Sequence, residues 1–210
     1  GYPSRAPGES TWSAGSAGAS GSAGSRPLQP IVDPEQARAI CLNQLAWAPR
    51  TRSQLATAMR RRGVVAEVAD AILVRFEDVG LIDDAAFAAA WVETRHTRRG
   101  VGRHKLAQEL RNRGVAGDLV RSAVNALPVD TERATALALV NRRLAATAGQ
   151  PAAPRARRLV GMLARKGYPA GLAYDVVREA LRTEGEELPE VDLPIEFELD
   201  EAGLEPSGSN

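Results

Sequence analysis

From about residue 34 to residue 181, apolar side chains recur every three or four positions and β-branched runs are almost absent. That is the spacing of helices which each bury one stripe. It predicts nine helices, over 34–47, 51–62, 65–79, 83–98, 103–113, 116–126, 130–147, 155–166 and 169–182. Local signals agree with these limits. Asp33 followed by Pro34 opens the first helix, and Pro49 closes it. Asp83 or Asp84 and Asp130 are expected N-caps. Gly63, Gly80, Gly114 and Gly167 stand where helices end in a left-handed residue.

The pattern repeats. Aligning the segments 53–64, 104–115 and 157–168 on Gly63, Gly114 and Gly167 brings Leu55, Leu106 and Leu159 into one column. Met59, Leu110 and Leu163 fall into a second, and Arg62, Arg113 and Lys166 precede the glycines. Five residues after each glycine stands Val68, Leu119 or Leu172, and ten after stands Leu73, Val124 or Val177. A hairpin of two such helices cannot bury its own stripe, whereas a third helix closes a small core and neighbouring units stack. The expected fold is therefore all-α, an elongated tandem array of three three-helix, helix-turn-helix-like repeats. The boundaries read as repeat 1 at 34–81, repeat 2 at 82–128 and repeat 3 at 129–182.

Composition separates the ends from this body. Residues 1–30 contain 22 Gly, Ser, Ala or Pro, too few apolar groups to offset the entropy of ordering. The head, 1–33, is expected to be disordered. So is the acidic tail, 183–210, in which Ile195, Phe197 and Leu199 alternate with acids like a short docking strand. The net charge of +1 conceals a segregation. Residues 35–180 hold 24 Lys and Arg against 14 Asp and Glu, and residues 181–210 hold one Arg against ten acids. A basic body suits a polyanionic or acidic partner, and the tail is a competitor for the same surface.

Several function classes receive no support. One cysteine, Cys41, makes neither a disulfide framework nor a Cys-rich zinc site, and among apolar neighbours it is expected to be a buried structural thiol. His96 and His104 are expected at the surface or as caps, not as metal ligands. Gly100-Val101-Gly102 lacks the strand and third glycine of a dinucleotide loop. No acid, base and nucleophile converge, so no catalytic, cofactor or metal residue is assigned. No apolar run is long enough to span a bilayer and no secretory signal is visible, which points to a cytoplasmic protein without a membrane partner.

The basic residues carry more information. Arg60 and Arg111 lie five positions after the core leucines of their helices, roughly 140° around the helix at ~100° per residue, and should face solvent. Arg52 and Arg103 begin those helices, with Arg157 and Arg158 comparable in the third repeat. Stacked repeats would turn them into a positive stripe, extended by Arg95, Arg98, Arg99, Arg142 and Arg143. With nine aromatic residues in the chain there is no base-stacking platform, so phosphates are the expected nucleic-acid target.

The segment GLIDDAAFAAAWVETR (80–95), with Arg98-Arg99-Gly100-Val101-Gly102-Arg103 after it, resembles the signature of the RecX family of bacterial recombination regulators. PRTRSQLATAMRRRGV (49–64) and KLAQELRNRGV (105–115) are similar to it too, and the likeness spans about 34–182. The third repeat departs most, through Pro151 and Pro154. The resemblance implies three tandem three-helix units without enzymatic activity. It also implies a partner, the RecA recombinase filament on single-stranded DNA, and restraint of strand exchange, ATP hydrolysis and SOS-repressor cleavage. On that reading a free monomer lies in the filament groove. Arg52, Arg60, Arg62, Arg95, Arg98, Arg99, Arg103, Lys105, Arg111, Arg113, Arg157 and Arg158 would then face the recombinase or DNA phosphate. The other reading of the same residues is a stand-alone helix-turn-helix regulator of duplex DNA.

Overall fold

A computed structural model describes residues 30–185; the readings made for 1–29 and 186–210 lie outside them. Among the described residues there are nine α-helices: α1 Pro34–Leu45, α2 Arg52–Arg61, α3 Ala66–Asp78, α4 Asp84–Arg99, α5 Arg103–Arg111, α6 Gly117–Asn125, α7 Val129–Leu144, α8 Ala152–Arg165 and α9 Ala170–Thr183. The all-α reading holds. Asp33 caps α1, accepting from the Glu35 N–H at 3.0 Å, and Asp83 caps α4, accepting from the Ala86 N–H at 2.8 Å. Thr51 and Gln54 form a reciprocal capping box at α2.

Three details differ from expectation. Asp130 is not an N-cap, because α7 begins one residue earlier and places it inside the first turn, where it still meets the positive end of the helix dipole. Helix α8 begins at Ala152, so Pro154 falls in its first turn, where a missing N–H costs no helical hydrogen bond. The head is not wholly unstructured up to residue 33. Ile31 donates its N–H to the Gly63 carbonyl at 2.8 Å and accepts from the Val65 N–H at 3.2 Å.

The helices bury three separate cores. Ala37, Cys41, Leu55, Met59, Leu73 and Phe76 form the first, among α1–α3. Ala88, Val92, Leu106, Leu110, Val120 and Val124 form the second, among α4–α6. Ala136, Val140, Leu159, Leu163, Val176, Val177 and Leu181 form the third, among α7–α9. Both core columns of α2, α5 and α8 read from the repeat are buried. One column is shifted: Val68, Leu119 and Leu172 are only half-buried, and the next residues, Ala69, Val120 and Ala173, point inward instead. Burial of Cys41 pushes its thiol upward, as befits a packing group.

The cores are linked by a recurring joint, in which the start of the middle helix of one unit meets the glycine turn of the next. Between units 1 and 2, Thr51 Oγ1 donates to the Arg113 carbonyl at 2.6 Å. The Arg52 N–H donates to Asp84 Oδ1 at 2.9 Å. Between units 2 and 3, the Gly102 and His104 N–H groups donate to the Lys166 and Gly167 carbonyls at 2.8 and 3.0 Å. The Arg103 N–H donates to Glu132 Oε1 at 2.8 Å. The orphan N–H groups of a helix start thus find acceptors on the next unit. On Gly63, Ile31 occupies the place that a preceding unit's helix start takes on the later turns.

Two glycines make the joint close. Gly114 and Gly167 hold φ of +74° and +86°. A Cβ would lie 2.1 Å from Ser53 Oγ at Gly114, and 2.4 Å from Lys105 Cβ at Gly167. Only glycine satisfies both the left-handed turn and the contact.

Candidate partner-binding surface

The twelve basic residues singled out from the sequence divide into two sets. Arg60, Arg62, Arg98, Arg99, Lys105, Arg111, Arg157 and Arg158 are exposed, most of them near helix C-termini, where a cation also complements the dipole. Arg52, Arg95, Arg103 and Arg113 are half-buried and already hold partners. Arg52 pairs with Asp70 at 3.5 Å and Glu77 at 3.2 Å. Arg95 pairs with Glu109. Arg103 Nε meets Glu132 Oε2 at 2.5 Å, with the Glu132 side chain 1% exposed. Arg113 lies over the Trp91 ring, 3.6 Å from its centroid.

His96 also departs from its expected surface position, being 3% exposed. Its Nδ1 donates to the Val101 carbonyl, which can only accept, at 2.9 Å, and its Nε2 lies 2.9 Å from Thr135 Oγ1. The imidazole thereby ties α4, the loop after it and α7 together, a structural part at the second joint. His104 is exposed. Among the described residues no three His, Cys, Asp or Glu side chains are grouped to hold a metal ion, and no helix is long and apolar enough to cross a membrane.

Contacts join some cations into a band that crosses both joints. A groove of about 330 Å³ between units 1 and 2 is lined by Arg50, Arg61 and Arg113 with Gln54, Asn112 and other neutral groups, and by no carboxylate. Within it the buried Nε of Arg50 has no hydrogen-bond partner. Arg113 leads to Trp91, and Arg95 approaches the same ring at 5.5 Å. Beyond the ring the grouping is one of charge acting through space: Lys105, Arg142, Arg143 and Arg95 all bear on Lys166 as like charges, and α7 reaches this side through Leu139, which lies against Gly100. Lys166 Nζ donates to the Arg99 carbonyl at 2.7 Å, and Lys105 Nζ reaches the Arg165 carbonyl at 3.4 Å.

The electrostatics match this geometry. Burial first, and then these positive neighbours, hold the Lys166 ammonium below the usual lysine range. Hydrogen bonding from Arg95 holds the Glu109 carboxyl below the usual glutamate range, against its burial. Asp84 moves the other way, because burial outweighs the Arg52 N–H that it accepts. The burial of Tyr168 pushes its phenol up, and the phenol donates to the Gly100 carbonyl at 3.2 Å.

The band therefore uses Arg95, Lys105 and Arg113 from the expected set. Arg142 and Arg143, expected only as an extension, belong to it, and so do Arg50, Arg61, Lys166 and the ring of Trp91. Arg60, Arg62, Arg98, Arg99, Arg111, Arg157 and Arg158 are exposed on the same units. The column of Arg62, Arg113 and Lys166 before the repeat glycines was the available signal for Lys166. Nothing in the sequence marks Asp84 and Glu132 as acceptors for a preceding unit's helix.

Family models described as the first and second three-helix domains of RecX match residues 37–76 and 83–124. A regulatory protein RecX of Thermobifida fusca is 58% identical over 159 residues, covering 76% of this chain and 84% of the relative. One of Streptomyces coelicolor is 55% identical over 160 residues, covering 76% and 85%. The crystal structure of RecX from Lactobacillus salivarius superposes with a TM-score of 0.68 at 16% identity, covering 71% of this chain and 97% of that one, a likeness of fold. With three helical cores in series, two matched RecX domains and a relative at 58% identity over most of both chains, the protein belongs to the RecX family of regulatory proteins.

Proposed function

We propose that this chain binds the RecA recombinase filament assembled on single-stranded DNA. It lies in the filament's helical groove and restrains strand exchange, ATP hydrolysis and co-protease activity, so moderating DNA repair and the SOS response. It acts in the cytoplasm, as a monomer when free, by obstruction rather than by catalysis. The observation that carries this reading is the band running from Arg50, Arg61 and Arg113 through Arg95 to Lys105, Lys166, Arg142 and Arg143. It spans three units held in register by hydrogen-bonded joints. Such a surface suits a long, regular, negatively charged partner, where several weak contacts on linked units add up to avidity. Charge attraction of this kind weakens with salt.

The test is the single-strand-stimulated ATP hydrolysis of RecA with the protein added below stoichiometry. Inhibition that fades as salt rises supports the reading. Absence of inhibition, with tight sequence-specific binding to duplex DNA, supports the helix-turn-helix alternative instead.

A further inference from the structure

We propose that the acidic segment 186–210 docks on the part of the basic band formed by Lys105, Lys166, Arg142 and Arg143, and shields it. Three observations on the chain converge there. The first is where the described chain ends. Glu184 Oε2 accepts from Arg155 Nη2 at 2.5 Å, and the same guanidinium reaches the Leu144 carbonyl at 3.4 Å. The segment thus departs beside the end of α7, whose last turn carries Arg142 and Arg143. The second is the patch itself. Arg142 and Arg143 are exposed in the last turn of α7, one turn beyond Leu139, which lies against Gly100 beside the Arg99 carbonyl that Lys166 Nζ reaches at 2.7 Å, and with Lys105 they act on Lys166 as like charges. Two carboxylates of the second and third units are committed elsewhere, Glu109 to Arg95 and Glu132 to Arg103.

The third observation is the composition of the segment. Residues 186–210 carry nine Asp and Glu and no Lys or Arg. Twenty-five residues reach about 80 Å when extended, so length does not limit the contact. A tethered strand of carboxylates meets the patch at the high local concentration that a short connection gives. The docking rests on geometry and charge alone. Its consequence, that the segment competes with the partner for the band, rests on the function proposed above.

The experiment uses the full chain carrying a spin label at Ala202→Cys. Cys41 is fully buried, so labelling is confined to the new thiol. Nuclear magnetic resonance at low salt should show line broadening at the amides of Arg142, Arg143 and Lys166, reversed at high salt and abolished by Arg142→Glu with Arg143→Glu. Absence of broadening there overturns the proposal. So does broadening centred on Arg50 and Arg61, or broadening that appears only between labelled and unlabelled copies.

A second full-length variant, with the nine acids changed to amides, reads the consequence. A segment docked for roughly nine-tenths of the time would lower apparent affinity for the filament about tenfold, and the variant would recover that factor. Unchanged affinity overturns the shielding. If neither protein binds the filament, the function proposed above fails, while the broadening still decides the docking.

Discussion

Gly167 offers the sharpest test of the joint, because Gly80 provides an internal control. Both hold a left-handed backbone, φ +86° and +72°. Alanine at either position therefore carries the ordinary cost of that conformation, about 1–2 kcal/mol. A Cβ on Gly80 meets nothing within 4 Å, whereas one on Gly167 falls 2.4 Å from Lys105 Cβ and 2.5 Å from Lys105 N. Backbone must move to relieve it. That movement pulls apart the Gly102–Lys166 and His104–Gly167 hydrogen bonds of 2.8 and 3.0 Å, worth about 1 kcal/mol each. Gly167→Ala should therefore lose about 3–4 kcal/mol and Gly80→Ala about 1–2 kcal/mol, compared by urea unfolding followed by circular dichroism. Equal losses would refute the claim that Gly167 is selected by the contact between units rather than by its turn alone.

Leu110→Ala, at a fully buried position of the second core, should cost about 2–5 kcal/mol in the same assay; an unaltered midpoint would mean that the core face is misassigned. Arg61→Glu with Arg142→Glu and Arg143→Glu should leave the fold intact and weaken filament binding, read as lost inhibition of RecA ATP hydrolysis with an unchanged unfolding midpoint. Arg103→Glu should behave differently. It sets a second carboxylate against the buried Glu132 and should cost about 3 kcal/mol or more of stability, so that a purely functional effect contradicts the pairing. Glu109 is depressed below its ordinary value of 4.5 by Arg95. Its contribution is complete above that value and lost as pH falls through its lower folded value. Glu109→Gln should therefore flatten the acid limb of stability below about pH 4.5, and an unchanged acid limb would count against the Arg95 pairing.

The helices and their cores were legible because both are written in local periodicity. The columns Leu55, Leu106, Leu159 and Met59, Leu110, Leu163 have one environment in each repeat, and burial follows from spacing alone. The surface was less legible, because a charge pattern does not say where a side chain finds its partner. Arg52, Arg95 and Arg103 look like their exposed neighbours in the sequence, yet their partners Glu77, Glu109 and Glu132 stand 25, 14 and 29 positions away. His96 is buried for the same reason, through Thr135 on a later helix. The glycine register was visible, but its second use, as the landing place for the preceding unit's helix start, depends on stacking that no single repeat encodes.

On the proposed function, a basic band held in register across three jointed units lies along the groove of a RecA filament on single-stranded DNA. Electron cryomicroscopy of that filament saturated with the protein tests it most directly. Continuous extra density following the groove is expected, with Arg61, Arg113, Lys166 and Arg143 turned toward recombinase or DNA. Density confined to filament ends, or a bound protein whose band faces solvent, would contradict it.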